Sequence, residues 1–490
     1  MSELVLENQT LPTNWIMTNI ESVCVDSQYG WTTSASDHGD VKFLRTTDIT
    51  SGKINWKTVP YCEKSPDDLN KYLLKNDDVV ISRAGSIGFS YLIESPPKAV
   101  FASYLIRFNP LIFPKYFNYF LQSSKYWNEI SEKKIGIAVQ NVNATKLKQI
   151  KFPLSPLNEQ KKIVAKIEEL FAILDSTKQS LENSKNQLKQ YLQSLLKSAF
   201  EGKLTEKWRH ENECSVESEL NVIRKLNDKK LKTDSKLTLD IPENTFDLHK
   251  IPNKWVWIRL GFLSKLITKG ASPKWQGIEY VDNGILFITS ENIGSGKILL
   301  NKPKYLEKKF NEIQKRSILQ KGDILTNIVG ASIGRTAIYD LDNTANINQA
   351  VSLIRIYDQT NKKYIQYVLN SPSILNYMNR EKVDVARANL SLQNVADFPI
   401  PLPSLKEQEL IVLKLEQGFS LIKNIENITN SMLKQLDTIK LSILKQAFEG
   451  KLVPQDPNDE PAEVLLQKIN QEKQQLIQKQ KPSRSTKNVK

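Results

Sequence analysis

The sequence predicts an α+β chain of approximate two-fold character, with two α+β modules joined by two long antiparallel helices that form an intramolecular coiled coil. Three observations predict it. One segment is written twice at a constant offset. Both copies carry an apolar seam at heptad spacing. The stretch before each copy holds short β-rich runs bounded by glycine turns.

The repeat comes first, because missing one misreads a whole fold. Residues 152–204 open FPLSPLNEQKKIVAKIEELF and close KSAFEGKL; residues 400–452 open IPLPSLKEQELIVLKLEQGF and close KQAFEGKL. Glu159-Gln160 matches Glu407-Gln408, and Ala199 to Leu204 matches Ala447 to Leu452, both 248 residues apart. A constant offset is what a rigid rod of fixed length imposes. The preceding stretches correspond more loosely. Pro12-Thr13-Asn14-Trp15 resembles Pro252-Asn253-Lys254-Trp255, Phe43–Ile54 resembles Phe287–Ile298, and Leu73–Gly88 resembles Ile318–Gly334. Their offsets drift from 240 upward to 248, as loops on a shared scaffold allow. The expected plan is a module over 1–151, a helix over 152–204, a linker over 205–244, a second module over 245–399, a second helix over 400–452, and a tail over 453–490 with a short helix.

In the first rod, Ile163, Ile167, Leu170, Leu174, Leu181, Leu188 and Leu195 fall on alternating steps of four and three, the seam of a coiled coil. Thr177, Ser184 and Tyr191 interrupt it. In the second, Ile411, Leu415, Ile422, Ile425, Met432, Leu436, Ile439 and Ile443 keep the same frame, with weak points at Gly418 and Thr429. Ser404 with Glu407 fits a capping box, and Ser155-Pro156 fits an N-cap with proline at the first helical position. Gly202 and Gly450 suit the left-handed residue that follows a helix. Each helix would run about 42 residues, roughly 60 Å. One apolar stripe of that length needs a partner, and the other copy is the nearest.

In the modules, strands are expected at Val41–Leu44, Asp78–Ser82, Tyr104–Phe108, Ile285–Ile288 and Asp323–Asn327, and helices near Tyr116–Leu121 and Tyr364–Leu369. These imply an α+β module with a strongly bent sheet. A net charge of +14 favours a polyanionic partner. Arg45, Thr46 and Thr47 follow a predicted strand, as do Thr289, Ser290 and Asn292 in the second copy. Arg83, Ser86, Asn327, Ser332 and Arg335 flank glycine turns. These side chains suit base reading and are the candidates for DNA contact, since arginine pairs with guanine and asparagine with adenine in the major groove; the alternative is that polar residues near turns are simply solvated. The basic run Arg224–Lys236 reads as a solvated linker.

Several motifs fail on inspection. Gly294-Ser-Gly296-Lys297 resembles the end of a phosphate loop, but Glu291 stands where its first glycine belongs and Ile298 where Ser or Thr belongs. Ser95-Pro96-Pro97-Lys98 resembles an adenine-methylating motif, but Lys98 replaces the aromatic ring. Asp77-Asp78 reads as a turn rather than nuclease carboxylates. Three cysteines (Cys24, Cys62, Cys214) and three histidines (His38, His210, His249) lie too far apart for metal-ligand spacing, so no metal site is expected. No run reaches the ~18–20 apolar residues of a membrane span, and the opening MSELVLENQT lacks a signal pattern, so a cytoplasmic location is expected.

Taken together, PLSPLNEQKKIV and PLPSLKEQELIV, AFEGKL twice, the Trp15 and Trp255 phrases, and DEPAEVLLQKI from Asp459 resemble the specificity subunit of type I restriction–modification systems over essentially the whole chain. The resemblance implies two target-recognition domains, each reading half of a split, asymmetric DNA site. It implies paired helices that set the spacer and dock two methyltransferase subunits, joined by restriction subunits. It also implies that S-adenosylmethionine, ATP and magnesium belong to those partners and that this chain holds no cofactor and no catalytic residue. A scaffold that binds no DNA, and a stand-alone methyltransferase or nuclease, are the alternatives. One departure is visible: the segment after the first rod is only a rough cousin of the tail after the second.

Overall fold

The computed structural model describes residues 11–133, 141–233, 249–380 and 389–480. The end of the expected linker and the tail beyond Pro482 lie outside them. The chain divides into two compact units, residues 1–181 with 430–490, and residues 182–429. Each unit holds one module and one half of each long helix.

In the first unit, the strand Ile16–Asn19 pairs antiparallel with Lys151–Leu154, so the module's first and last strands close it. Inside lie two four-stranded sheets, not the single bent sheet expected. One runs Cys24–Tyr29, Leu105–Pro110, Val79–Ser82, Ser90–Leu92, all antiparallel. The other runs Ala35–Ser36, Tyr61–Cys62, Lys42–Leu44, Ala99–Phe101, with its last pair parallel. The chain leaves the first sheet at Gly30, where a Cβ would stand 2.2 Å from the Ala102 carbonyl oxygen. Only glycine permits that approach, at the point where the chain passes from one sheet to the other. The second unit repeats the plan. Val256–Arg259 pairs with Pro399–Leu402, the two sheets keep the same strand order, and Gly270 faces the Ile347 carbonyl in the same way.

The long helices run Leu157–Phe200 and Leu405–Phe448, 44 residues each. Their antiparallel pairing shows within each unit. In the first, Asn158 bonds Asp459 while Asp175, farther along, pairs with Lys440 at 2.6 Å. In the second, Leu195 lies against Gly418 while Thr205 bonds Glu407. Gly418, expected as a weak point, is thus the recess that admits Leu195. Thr429 is buried too, its hydroxyl bonded to the Ile425 carbonyl.

On the first helix Ile163, Ile167 and Leu195 are buried, and Leu170, Leu174, Leu181 and Leu188 are half-buried. On the second, Ile411, Leu415, Ile422, Leu436 and Ile443 are buried and Ile425 is half-buried. Met432 and Ile439 correct the expected frame, being 44% and 43% exposed. Leu433 and Lys440 take the inward places beside Leu436 and Ile443. A straight helix drifts by about 20° per heptad from a strict 3.5 repeat, so the contact stripe steps on by one residue.

The repeated Glu-Gln is structural. Glu159 accepts the Trp15 indole N–H at 2.8 Å, and Glu407 accepts that of Trp255 at 2.9 Å. Gln160 receives the Phe113 N–H and donates to the Ser155 carbonyl; Gln408 does the same with Asn361 and Pro403. Hence the capping box expected for Ser404 and Glu407 does not form. Glu407 turns inward instead, and Glu219 accepts the Leu405 N–H.

The AFEGKL phrase is explained by the same contacts. Gly202 and Gly450 are left-handed, with φ of 75° and 69°. A Cβ on Gly450 would stand 2.3 Å from Pro12, and one on Gly202 2.3 Å from Pro252. Each rod therefore ends on the Pro-x-x-Trp phrase that opens the other module. Replacing Gly450 with alanine is expected to cost about 3 kcal/mol, from the left-handed backbone and the clash together. Urea unfolding followed at Trp15 would check it; an unchanged midpoint would refute the contact.

Residues 205–233, expected as linker, contain helices at Glu206–Glu211 and Glu217–Thr233. Val216, Leu220 and Ile223 are buried, and Asn227 donates to the Phe262 carbonyl. The tail helix Ala462–Gln480 does the corresponding job in the first unit. The Ala462 N–H reaches the Asn14 carbonyl and Lys473 reaches that of Glu21. The rough cousins in sequence are equivalent in packing.

Candidate nucleic-acid interface

Two loops in each module carry the residues expected to read DNA. The first follows the strands Lys42–Leu44 and Ile285–Ile288. In the first module Asp48 accepts the Arg45 N–H at 2.8 Å, and its two oxygens hold the Arg45 Nε and Nη2. In the second, Asn292 accepts the Thr289 N–H at 2.9 Å and the Thr289 hydroxyl. The turn is the same, built once from a charged pair and once from a neutral one. Thr47 is exposed, Arg45, Thr46 and Ser290 are half-buried, and Thr46 Oγ1 itself is buried.

The second loop follows Val79–Ser82 and Ile324–Asn327. The main chains superpose by their bonds: the Val142 N–H meets the Arg83 carbonyl, and the Leu390 N–H meets that of Ile328. At this shared position one module carries an arginine whose guanidinium lies 5.1 Å over the Tyr29 ring, and the other a buried isoleucine. Ser86 and Arg335 are exposed and Ser332 is half-buried.

Three expected readers are corrected. Asn327 is fully buried and donates to the Ser290 carbonyl and to Ser332 Oγ, tying the two loops together. Thr289 and Asn292 are buried inside their turn, with Asn292 also donating to the Leu299 carbonyl. A buried carboxamide whose N–H groups are bonded within its own loops serves the scaffold, because turning it outward would leave those acceptors unpaired. Two exposed aromatic rings escaped the sequence reading, Tyr104 beside the second loop, where its carbonyl accepts the Arg83 N–H, and Trp275 elsewhere in the second module. Tyr104 is 60% exposed and Trp275, on a short turn at Lys274–Gln276, is 83% exposed. The one sequence signal for Trp275 is an aromatic set between Lys274 and Gln276 without apolar periodicity.

The rejected motifs resolve as turns. Gly296 is left-handed in a tight turn closed by the Gly294 N–H on the Lys297 carbonyl. Ser95 and Asp77 take positive φ. Asp78 is buried and accepts from the Lys75 N–H and Asn109, with Arg107 3.6 Å away. Burial pushes its carboxyl up, against the pull of those partners. Asp323 holds Arg355 through two bonds of 2.7 Å at the matching place. Among the described residues no group of His, Cys, Asp and Glu could hold a metal ion, and no helix is long and apolar enough to cross a membrane.

Two sheet-bearing modules, each presenting differently worded polar loops on a basic chain, have the make-up of a nucleic-acid reader. The chain belongs to the type I restriction modification DNA specificity domain family, whose model matches residues 12–187 and 252–434. It is 28% identical over 449 residues to the type I restriction enzyme EcoKI specificity subunit of Escherichia coli K12, covering 88% of each chain. It is 30% identical over 357 residues to the EcoBI specificity subunit of Escherichia coli, covering 71% of this chain and 70% of that one. The HsdS subunit from Thermoanaerobacter tengcongensis shares the fold, with a TM-score of 0.56 at 18% identity, over 91% of this chain and 99% of that one. A chain solved in a study of complex assembly and conformational transition of the type I R-M system gives a TM-score of 0.61 at 18% identity, over 90% of this chain and 100% of that one.

Proposed function

We propose that the two modules read the two halves of a bipartite, asymmetric DNA target, and that the paired helices fix the unread spacer and dock two methyltransferase subunits. Restriction subunits complete the assembly. S-adenosylmethionine, ATP and magnesium are the partners' cofactors, and the chain works in the cytoplasm with the genome.

One observation carries this reading: the same frame bears unlike loops. Arg45 with Asp48 stands where the second module has Thr289 with Asn292, and Arg83 stands where it has Ile328. Like scaffolds with unlike loops read unlike sequences, so the two half-sites differ. Lysine and arginine contacts to phosphate supply affinity, and loop side chains supply sequence. Among the proposed readers Arg45 is held in a fork by Asp48 and keeps Nη1 for a guanine.

Exchanging residues 1–151 for the module of another family member, with methyltransferase subunits present, is expected to change one half of the methylated motif. Methylome sequencing reads this directly, and a change in both halves would defeat the modular reading. Arg45→Ala is expected to relax one base of one half-site by about 1–3 kcal/mol, a five- to 150-fold loss of discrimination. The same sequencing shows it; an unaltered motif would remove Arg45 from the reading set.

A further inference from the structure

The two modules treat one strand edge differently. In the second, Thr336–Ile338 is the outer strand of its sheet, and every second residue turns its main-chain groups outward. Those groups are satisfied. The Thr336 N–H meets Asn370 Oδ1, Asn370 Nδ2 meets the Thr336 carbonyl, and the Ile338 N–H meets Gln366 Oε1. The Gly296 N–H, from the turn above, also bonds the Thr336 carbonyl.

In the first module the outer strand is Ser90–Leu92, with the same register. Bonds from the Ser82 N–H to the Phe89 carbonyl and from the Ile93 N–H to the Asp78 carbonyl leave Ser90 and Leu92 turned outward. Asn118 and Gln122 occupy the places of Gln366 and Asn370, yet no bond joins them to the strand among the described residues. Asn118 Oδ1 and Ser90 Oγ are buried without a partner. In the turn above, Thr50–Gly52, the Gly52 N–H bonds the Ile49 carbonyl rather than the strand, and a Cβ on Gly52 would meet nothing within 4 Å. Between turn, strand and helix lies a cavity of about 510 Å³.

Its chemistry is specific. The floor is an open strand edge with two carboxamides beside it. Phe89 and Trp127, whose ring centroids are 5.5 Å apart, line one wall. Glu94, Glu168 and Lys115 line the rim, and Lys115 is paired with Glu168 at 2.7 Å, so one negative charge is left over. Burial, together with Glu168 and Glu94, pushes the Tyr119 phenol beside them up to about 12.

We propose that this edge takes an extended peptide segment of a partner protein as an added strand, with a lysine or arginine of that segment at the Glu94–Glu168 rim. In the second module, amide groups fill the equivalent space, so amide chemistry satisfies the edge. Outward groups on alternate residues match the two-residue repeat of an extended chain. Strand addition of this kind draws affinity from main-chain bonds and specificity from side-chain pockets. The acidic rim disfavours a phosphate and favours a basic side chain. The choice of partner, one of the subunits assembled around this chain, rests on the function proposed above.

Single-residue amide exchange on the full chain tests it, alone, with the methyltransferase and restriction subunits, and then with DNA. Assembly without DNA is expected to slow exchange at Ser90 and Leu92 at least tenfold. Ser90→Pro is expected to abolish the slowing at Leu92. Proline there removes an N–H the sheet does not use and is tolerated on an outer strand. Glu168→Gln is expected to weaken the slowing about threefold. Subunits that co-elute while both amides exchange as in the free chain would overturn the inference and spare the assembly reading. Slowing that arises only with DNA would overturn it in favour of a nucleobase. Subunits that fail to co-elute would overturn the assembly reading and with it the partner named here.

Discussion

Glu407→Ala is expected to destabilise the second unit by about 3–5 kcal/mol, the cost of leaving a buried charge unpaired. Its two oxygens receive the Trp255 indole, the Thr205 hydroxyl at 2.7 Å and Arg209 Nε at 3.0 Å. Arg209 also donates to the Gly202 carbonyl and stacks 5.4 Å from the Trp255 ring. Removing the acceptor strands an arginine, an indole and a hydroxyl at the junction of rod and module. Glu159→Ala is expected to cost less, about 1–3 kcal/mol, because its partners Trp15 and Gln455 are neutral. Burial already pushes the Glu159 carboxyl up, so its charge is held at a cost. Amide exchange of each unit's core strands would measure the two variants side by side. Equal losses would show that Arg209 does not set the difference.

Adding seven residues to each long helix, after Leu181 and after Thr429, is expected to lengthen the target spacer by about three base pairs. A heptad returns the seam to its own frame and adds about 10.5 Å of rise. The half-site sequences should stay as they were, since neither loop set is touched. Methylation of the original target is expected to fall to background, because a module shifted by three base pairs turns away from its groove. A methylome in which the spacer keeps its length would show that the helices do not measure it.

Much of this was legible in the sequence for a physical reason. Rods are periodic, and periodicity survives in one dimension. The seam positions from Ile163 to Leu195, the stops at Gly202 and Gly450 and the duplicated phrases all follow from local rules. What was illegible depends on partners far along the chain. Glu407 passes for a helix cap by its spacing from Ser404, but a tryptophan 152 residues away claims it. Asn292 and Asn327 have the right chemistry for adenine and were expected to face DNA; their burial depends on Leu299 and Ser290. Met432 and Ile439 fit a heptad on paper, and only the accumulated drift of a real helix turns them outward. The site is therefore less legible than the fold, since which polar residue a loop presents is decided by tertiary closure.

Gly450 against Pro12, and Ala462 against Asn14, have a consequence for synthesis of the chain. The core around Trp15 also includes Ile443, Phe448, Leu465 and Ile469, which leave the ribosome hundreds of residues later. The module made first must wait, with part of its apolar surface uncovered, for a segment translated near the end. The described core of the other unit is built from residues between Leu195 and Phe419, so it is translated in full earlier. An early stop beyond residue 429 is then expected to leave the amino-terminal core uncovered, read as proteolysis of that module before the other.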